Sequence, residues 1–349
     1  MKYKVMRMYK RIEHAKDLPK EWDTLCKDNI YMSRSFMKFM EDVNYCNQSY
    51  HLFYKKNKLY SCFMMFERKF NLFIFTKYKI NVPMKFIYLP LSVSHSSIIW
   101  NKDKKEVTDI LNKMKGIKIL INIDKEKLKG FSKGHYLPIC ILENKWNTWD
   151  DYINSMRASY RRRINIALEK GKNIKYELLR NNKDFKDEWY NLYEQVFNHS
   201  EYSLEKLTAD FFRNDISKTI LLKINNKVEA FVQLIEDRNN DMLIFEFCGY
   251  NYEIALEYDI YYNMLATITK YAIDNKFKYV QFGQTAYDAK MKFGAKMYYN
   301  YYLLSHSNKI INWLIKKHNS FLQYKVIDYN FNVFKEENNE SNVSKTKTS

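Results

Sequence analysis

The chain has 349 residues, enough for two domains of ordinary size, and carries 58 Lys and Arg against 40 Asp and Glu, a formal charge of +18. That balance points to nucleic acid, an anionic membrane surface or a phosphorylated substrate, but Lys, Asn, Ile and Tyr crowd every segment beside only 7 Gly and 4 Pro, so part of the basicity is background. Cys26, Cys46, Cys62, Cys140 and Cys248 form no Cys-x-x-Cys pair, which argues against a zinc site or a disulfide framework and suits a reducing cytosol. Met1 to Lys10 lacks the apolar core of a secretory signal, and no run approaches the roughly 18 apolar residues of a membrane span, so a soluble, cytoplasmic protein is expected.

Apolar periodicity predicts a strand near Lys4 to Met8 and helices near Leu18 to Cys26 and Ser33 to Val43. Strands follow at His51 to Tyr54, Leu59 to Glu67 and Phe70 to Tyr78. A helix over Lys105 to Lys115 and strands over Ile117 to Ile123 and Tyr136 to Leu142 close this half. The second half opens with a helix from Asp150 to Lys170, a strand Ile174 to Arg180 and helices Asp184 to His199 and Leu204 to Asn214. A three-stranded meander, Lys218 to Ile224, Val228 to Glu236 and Met242 to Gly249, precedes a helix Tyr258 to Asn275. A strand Lys278 to Gly283, a short helix Ala286 to Phe293 and a strand Tyr298 to His306 end the pattern. The expected division is residues 1–145, 146–333 and a polar, disordered tail, 334–349.

The halves repeat one plan: Leu52 to Glu67 aligns without gaps on Leu221 to Glu236, with Asn-Lys at both turns. The run Trp149 to Gly171 (WDDYINSMRASYRRRINIALEKG) resembles the helix opening the second lobe of FemABX-like peptidyltransferases, a tandem branch of the GNAT superfamily. Phe282 to Ala295 (FGQTAYDAKMKFGA) is similar to the segment in which that family carries a Lys ahead of Phe-Gly, and Met32 to Val43 is similar to the start of its first lobe. The resemblance implies an α/β fold of mixed sheets in two tandem GNAT-like lobes, the N-terminal one degenerate and the C-terminal one catalytic. The stretch Gly249 to Glu257 (GYNYEIALE) lacks the glycine-rich pyrophosphate loop of coenzyme A-binding members. Family members with the same lack use aminoacyl-tRNA, although the helical arm of several such ligases has no counterpart here.

The resemblance further implies an N-acyltransferase moving an acyl or aminoacyl group from aminoacyl-tRNA or acyl-CoA to an amine on a peptide or peptidoglycan precursor. No cofactor is permanently bound in that reading. Lys290 would stabilise the oxyanion, Tyr287, three residues earlier on the same helix face, would act as general acid, and Glu246, or Asp288, would take the amine proton. Arg161 and Arg163, with Arg157 beside them, flank the apolar stripe of the 150–170 helix and would hold an anionic part of a substrate. The other reading of these arginines is a solvated face paired with nearby acids. No His is spaced with Cys, Asp or Glu as metal ligands are, so no metal is expected. The alternative function is a non-catalytic degenerate GNAT protein that holds RNA or an anionic lipid headgroup, and a peripheral contact with an anionic membrane suits the charge.

Overall fold

In the computed structural model, which describes residues 7–44, 46–90, 94–100, 104–124, 126–202, 205–327 and 329–335, the alternating apolar segments form two mixed sheets with helices packed on them. The first half of the chain supplies β1 (Arg7–Ile12), α1 (Glu21–Leu25), α2 (Arg34–Val43), β2 (Gln48–Lys55), β3 (Lys58–Asn71), β4 (Asn81–Ile87), β5 (Ile98–Ile99), α3 (Lys105–Lys113), β6 (Ile117–Ile123), β7 (Ser132–His135) and β8 (Ile139–Glu143). The second supplies α4 (Trp149–Ser155), α5 (Ala158–Lys170), β9 (Lys175–Leu178), α6 (Asp187–His199), β10 (Ser217–Ile224), β11 (Lys227–Asp237), β12 (Met242–Tyr250), α7 (Ile260–Asp274) and β13 (Tyr279–Gly283). It ends with α8 (Tyr287–Lys292), β14 (Lys296–Tyr298), β15 (Tyr301–His306), α9 (Lys309–Lys317) and α10 (Asn319–Leu322).

The sheet orders correspond strand for strand: β1-β2-β3-β4-β6-β15-β7 and β9-β10-β11-β12-β13-β8-β14, with β4–β6 and β12–β13 the parallel pairs. Strand β15 fills in the first sheet the place that β8 fills in the second, so each half of the sequence gives a late strand to the other sheet. Pro138, which has no N–H for a ladder, separates β7 from β8 where the sequence suggested one strand over Tyr136 to Leu142. The two units follow this pairing rather than a cut after residue 145. One is Met1–Leu137, Leu204–Phe211 and Tyr299–Val326; the other is Pro138–Ser203, Phe212–Tyr298 and Ile327–Ser349.

The repeat seen in sequence reaches the backbone. Lys56 and Asn57 (φ 51° and 60°) and Asn225 and Asn226 (φ 51° and 64°) are consecutive left-handed residues joining antiparallel strands, the conformation of a two-residue hairpin turn. Each ladder also slips at the equivalent place, Phe53/Tyr54 and Leu222/Lys223.

In the first unit, Val107 and Leu111 of α3 pack onto Phe53, Phe63, Ile87 and Leu120 of the sheet, each aliphatic side chain contributing about 1.5–3 kcal/mol. In the second, α6 covers one face of the sheet through Tyr193, which meets Phe212 and Phe247, and α7 packs on β11, β12 and β13. Gly249 lets α6 approach β12, because a Cβ there would lie 2.5 Å from the Tyr193 amide nitrogen.

Some expected elements differ. The strand expected over Phe70 to Tyr78 straddles a hairpin: β3 stops at Asn71, whose side-chain oxygen accepts from the amides of Phe73 and Ile80. Between Glu205 and Asn214 the structure has only a short 3-10 turn, Ala209–Arg213, in place of a helix. Of the tail, Phe334 and Lys335 are held: Phe334 bridges Met156, and its ring packs on Trp146. Residues 336–349 lie outside the described residues. Among the described residues no helix is long and apolar enough to cross a membrane.

Candidate active site

In the second unit β12 touches its parallel neighbour β13 only over Met242–Ile244, then runs on to Tyr250 paired with β11 alone. The strands therefore part from Phe245 onward. At the parting the β11–β12 ladder slips, with Leu234 opposite Phe245 and Gln233 opposite Phe247, so Glu246 is the extra residue of a bulge. Both carboxylate oxygens of Glu246 are shut off from solvent and meet no hydrogen-bond donor. Loss of hydration raises its acidity constant from the ordinary 4.5 to about 8.

Lys290 reaches the same unit's core from α8. The turn before it is unusual, since Gly283, Thr285 and Ala286 all have left-handed φ of 73°, 60° and 46°, a conformation unfavourable for a β-branched residue such as Thr285. This turn presents the Gln284 carbonyl to Lys290, whose Nζ donates to it at 2.6 Å. Burial lowers the ammonium from 10.5 to about 8, and the neighbouring thiols of Cys140 and Cys248 push it back up. In turn Lys290 opposes the rise that burial imposes on both thiols, to about 11 and about 12. Tyr287, on the same short helix, is buried, with its ring 6.4 Å from that of Tyr329. Asp288 instead forms a 2.7 Å surface pair with Lys292, which removes it as a candidate base.

The arginines separate. The helix expected over Asp150 to Lys170 is two helices, α4 and α5, broken where Met156 bridges Phe334 and the Arg157 amide donates to Val333. Arg157 is thus an N-cap residue whose Nε donates to the Phe334 carbonyl at 3.3 Å. Arg163 forks onto Asp259 at 2.8 and 3.2 Å and lies 3.7 Å over the Tyr262 ring, binding α5 to the start of α7. Its guanidinium is thereby taken up by an acid of its own unit. Arg161 donates to the Met156 carbonyl at 3.4 Å and has no acidic partner among the described residues, so it retains an uncompensated charge.

Three groups escaped the sequence reading. Cys140, Cys248 and the buried phenol of Tyr261 are within electrostatic reach of one another, and the first two of Lys290. Cys248 follows Glu246 by two residues along β12, a spacing that could have flagged it. Cys140 carried no such signal, because it arrives on the exchanged strand β8.

No family model matches the chain, and no curated protein matches it in sequence. Among solved structures it is similar to L-PGS from Bacillus licheniformis (TM-score 0.51, 10% identity, covering 88% of this chain and 98% of that one). It is also similar to FemX (0.50, 10%, 88% and 100%) and to a conserved protein of unknown function from Bacteroides thetaiotaomicron (0.50, 11%, 86% and 99%). The fold is two tandem GNAT-like lobes. In the second lobe, the place where a GNAT-like phosphate loop would precede α7 is built differently. The amides of Ala255, Tyr258 and Ile260 bond to carbonyls within the same loop, and Asp259 caps α7 in a left-handed conformation. Tyr250, Tyr252 and His199 stack there, with ring centroids 4.6 and 3.9 Å apart. A loop with its amides committed and three acids, Glu253, Glu257 and Asp259, offers a diphosphate little.

Proposed function

We propose that the second unit transfers an acyl or aminoacyl group from an activated ester or thioester to an amine, forming an amide. The observation that carries this reading is the buried, unpartnered carboxyl of Glu246 at the point where β12 and β13 part. A carboxyl held there without a donor costs free energy unless a ligand supplies one, and an attacking ammonium or amine is such a donor. Its pKa of about 8 suits a base that must deprotonate an amine near neutral pH. In the step, the amine nitrogen bonds to the acyl carbon and its proton passes to Glu246. The C–O or C–S bond to the donor breaks, and Tyr287 protonates the leaving group. Lys290 keeps one N–H on Gln284 and directs its others at the developing oxyanion, a contribution of roughly 3 kcal/mol when preorganised.

Aminoacyl-tRNA is the favoured donor over acyl-CoA, because the loop before α7 commits its amides internally while Arg161 leaves a cation for a phosphate backbone. The acceptor class is an amine on a peptide or a peptidoglycan precursor. The reading is tested by offering charged tRNA and acetyl-CoA separately with a lysine-containing peptide and measuring amide formation. Transfer from charged tRNA that falls about a hundredfold in kcat with E246Q supports it; transfer from neither donor overturns it.

A further inference from the structure

The first unit exposes apolar side chains where its chain has no acids. Along α9, Ile310 (71% exposed) and Trp313 (57%) face solvent with Ile311 and Leu314, while Ile315 and the side-chain bonds of Asn312 hold the helix to the rest of the unit. After one residue α10 follows, with Phe321 half exposed. Its ring lies 6.2 Å from Phe73 and 6.0 Å from Tyr78 at the tip of the β3–β4 hairpin, where Tyr78 and Ile80 are also about half exposed. Leu72 and Phe75 of that tip and Leu322 of α10 line an apolar cleft of about 400 Å³, so the apolar surface continues inward between the two elements.

The charge on these elements has one sign. No acidic residue occurs between Glu67 and Asp103, nor between Asp288 and Asp328. Lys77, Lys79, Lys309, Lys316, Lys317 and Lys325 make no ion pair among the described residues. Lys317 and Lys77 instead lie 5.1 and 5.6 Å over the rings of Trp313 and Tyr78. A helix with lysines at both ends and Ile, Leu and Trp outward is the composition of an element lying in a bilayer interface, its aliphatic groups among acyl chains and its ammonium groups at the phosphates.

We infer that this face of the first unit docks on an anionic phospholipid surface through α9, α10 and the β3–β4 hairpin tip. RNA would satisfy the lysines and stack on Trp313 or Tyr78 but leaves Ile310, Ile311 and Leu314 facing water; a lipid surface satisfies both sets. The inference stands apart from the acyl-transfer reading, since it uses none of that site's residues.

The test is flotation of the full chain with phosphatidylcholine vesicles, with and without phosphatidylserine. Binding to the phosphatidylserine vesicles alone is expected, weakening as salt rises. The solvent-facing pair I310D/W313D should lower it at least tenfold, and K316E and K317E about fivefold each or more, with unchanged thermal melting. Absence of vesicle binding, or equal binding by I310D/W313D, overturns the inference. So does a dimer of the wild-type chain that I310D/W313D makes monomeric, which would give the face to a second copy. Loss of tRNA binding in that variant with vesicle binding retained would give it to nucleic acid.

Discussion

The two sheets share one strand order but differ in where their parallel strands meet. In the first, β4 meets β6 over Met84–Ile87, at the end of β4. The edge of β3 beyond Phe66 then passes to Ser97 and to β5, which pairs Ile98 and Ile99 with Phe63 and Cys62. In the second, β12 meets β13 at its start, and the rest of β12 runs on without that neighbour. One register therefore closes the sheet and the other opens it, although the hairpins leading into both are superposable in turn and bulge. A duplicated scaffold thus acquires a site by sliding one strand pairing, and the groups with raised or lowered proton affinity, Glu246 and Lys290, collect at the opening.

The strongest way to break this contrast is to alter buried polar groups on each side. E246Q and K290M should each reduce amide formation about a hundredfold or more in steady-state assays. Y88F, which removes a buried phenol that finds no hydrogen-bond partner in the first unit, should leave turnover unchanged and stability equal or slightly higher. A large loss of turnover in Y88F would show that the first unit takes part in the chemistry.

Stability against pH sharpens the same contrast. A carboxyl whose folded pKa is raised opposes folding once the unfolded chain ionises: the penalty is absent below about 4.5, grows as pH rises, and is complete above about 8. E246Q should therefore match the wild type near pH 4 and exceed it by roughly 2–4 kcal/mol near pH 9 in urea melts. Lys290 runs oppositely, since a folded pKa lowered to about 8 costs stability below that value and the cost fades as pH rises toward 10.5. A wild-type curve with no fall between about pH 5 and 8 relative to E246Q would remove the buried, neutral carboxyl from the account.

Backbone conformation offers a smaller test. T285G relieves a left-handed β-branched residue and should stabilise the protein by about 1 kcal/mol, while loosening the Gln284 carbonyl that anchors Lys290 and reducing kcat severalfold. K56G relieves the equivalent conformation in the first hairpin and should gain about 0.5 kcal/mol with no change in turnover. Equal effects of the two on kcat would mean that the turn before α8 has no positioning role.

Much of this layout was legible in sequence. Hairpin turns with Asn-Lys, strand alternation and the amphipathic helices come from local preferences, and the repeat was visible as a gapless alignment. What stayed hidden depends on contacts distant in sequence. The reciprocal placement of β8 and β15 follows from strand pairing between halves, which periodicity does not encode. The break between α4 and α5 depends on Phe334, almost two hundred residues away, in a segment that composition marked as disordered. Lys290 and Glu246 were visible as residue types at suggestive positions, but the bulge that strands Glu246 without a partner is a matter of register. Arg163 looked free to bind substrate because its partner Asp259 lies on another helix.

The measurement that tests the central claim most directly is the pH dependence of single-turnover amide formation by wild type and E246Q, using whichever of charged tRNA or acetyl-CoA supports transfer. The account predicts a wild-type rate that climbs toward about pH 8 as Glu246 ionises and declines above it as Lys290 loses its proton. In E246Q the rising limb should vanish at a rate about a hundredfold lower. Superposable profiles of equal height for the two proteins would contradict it.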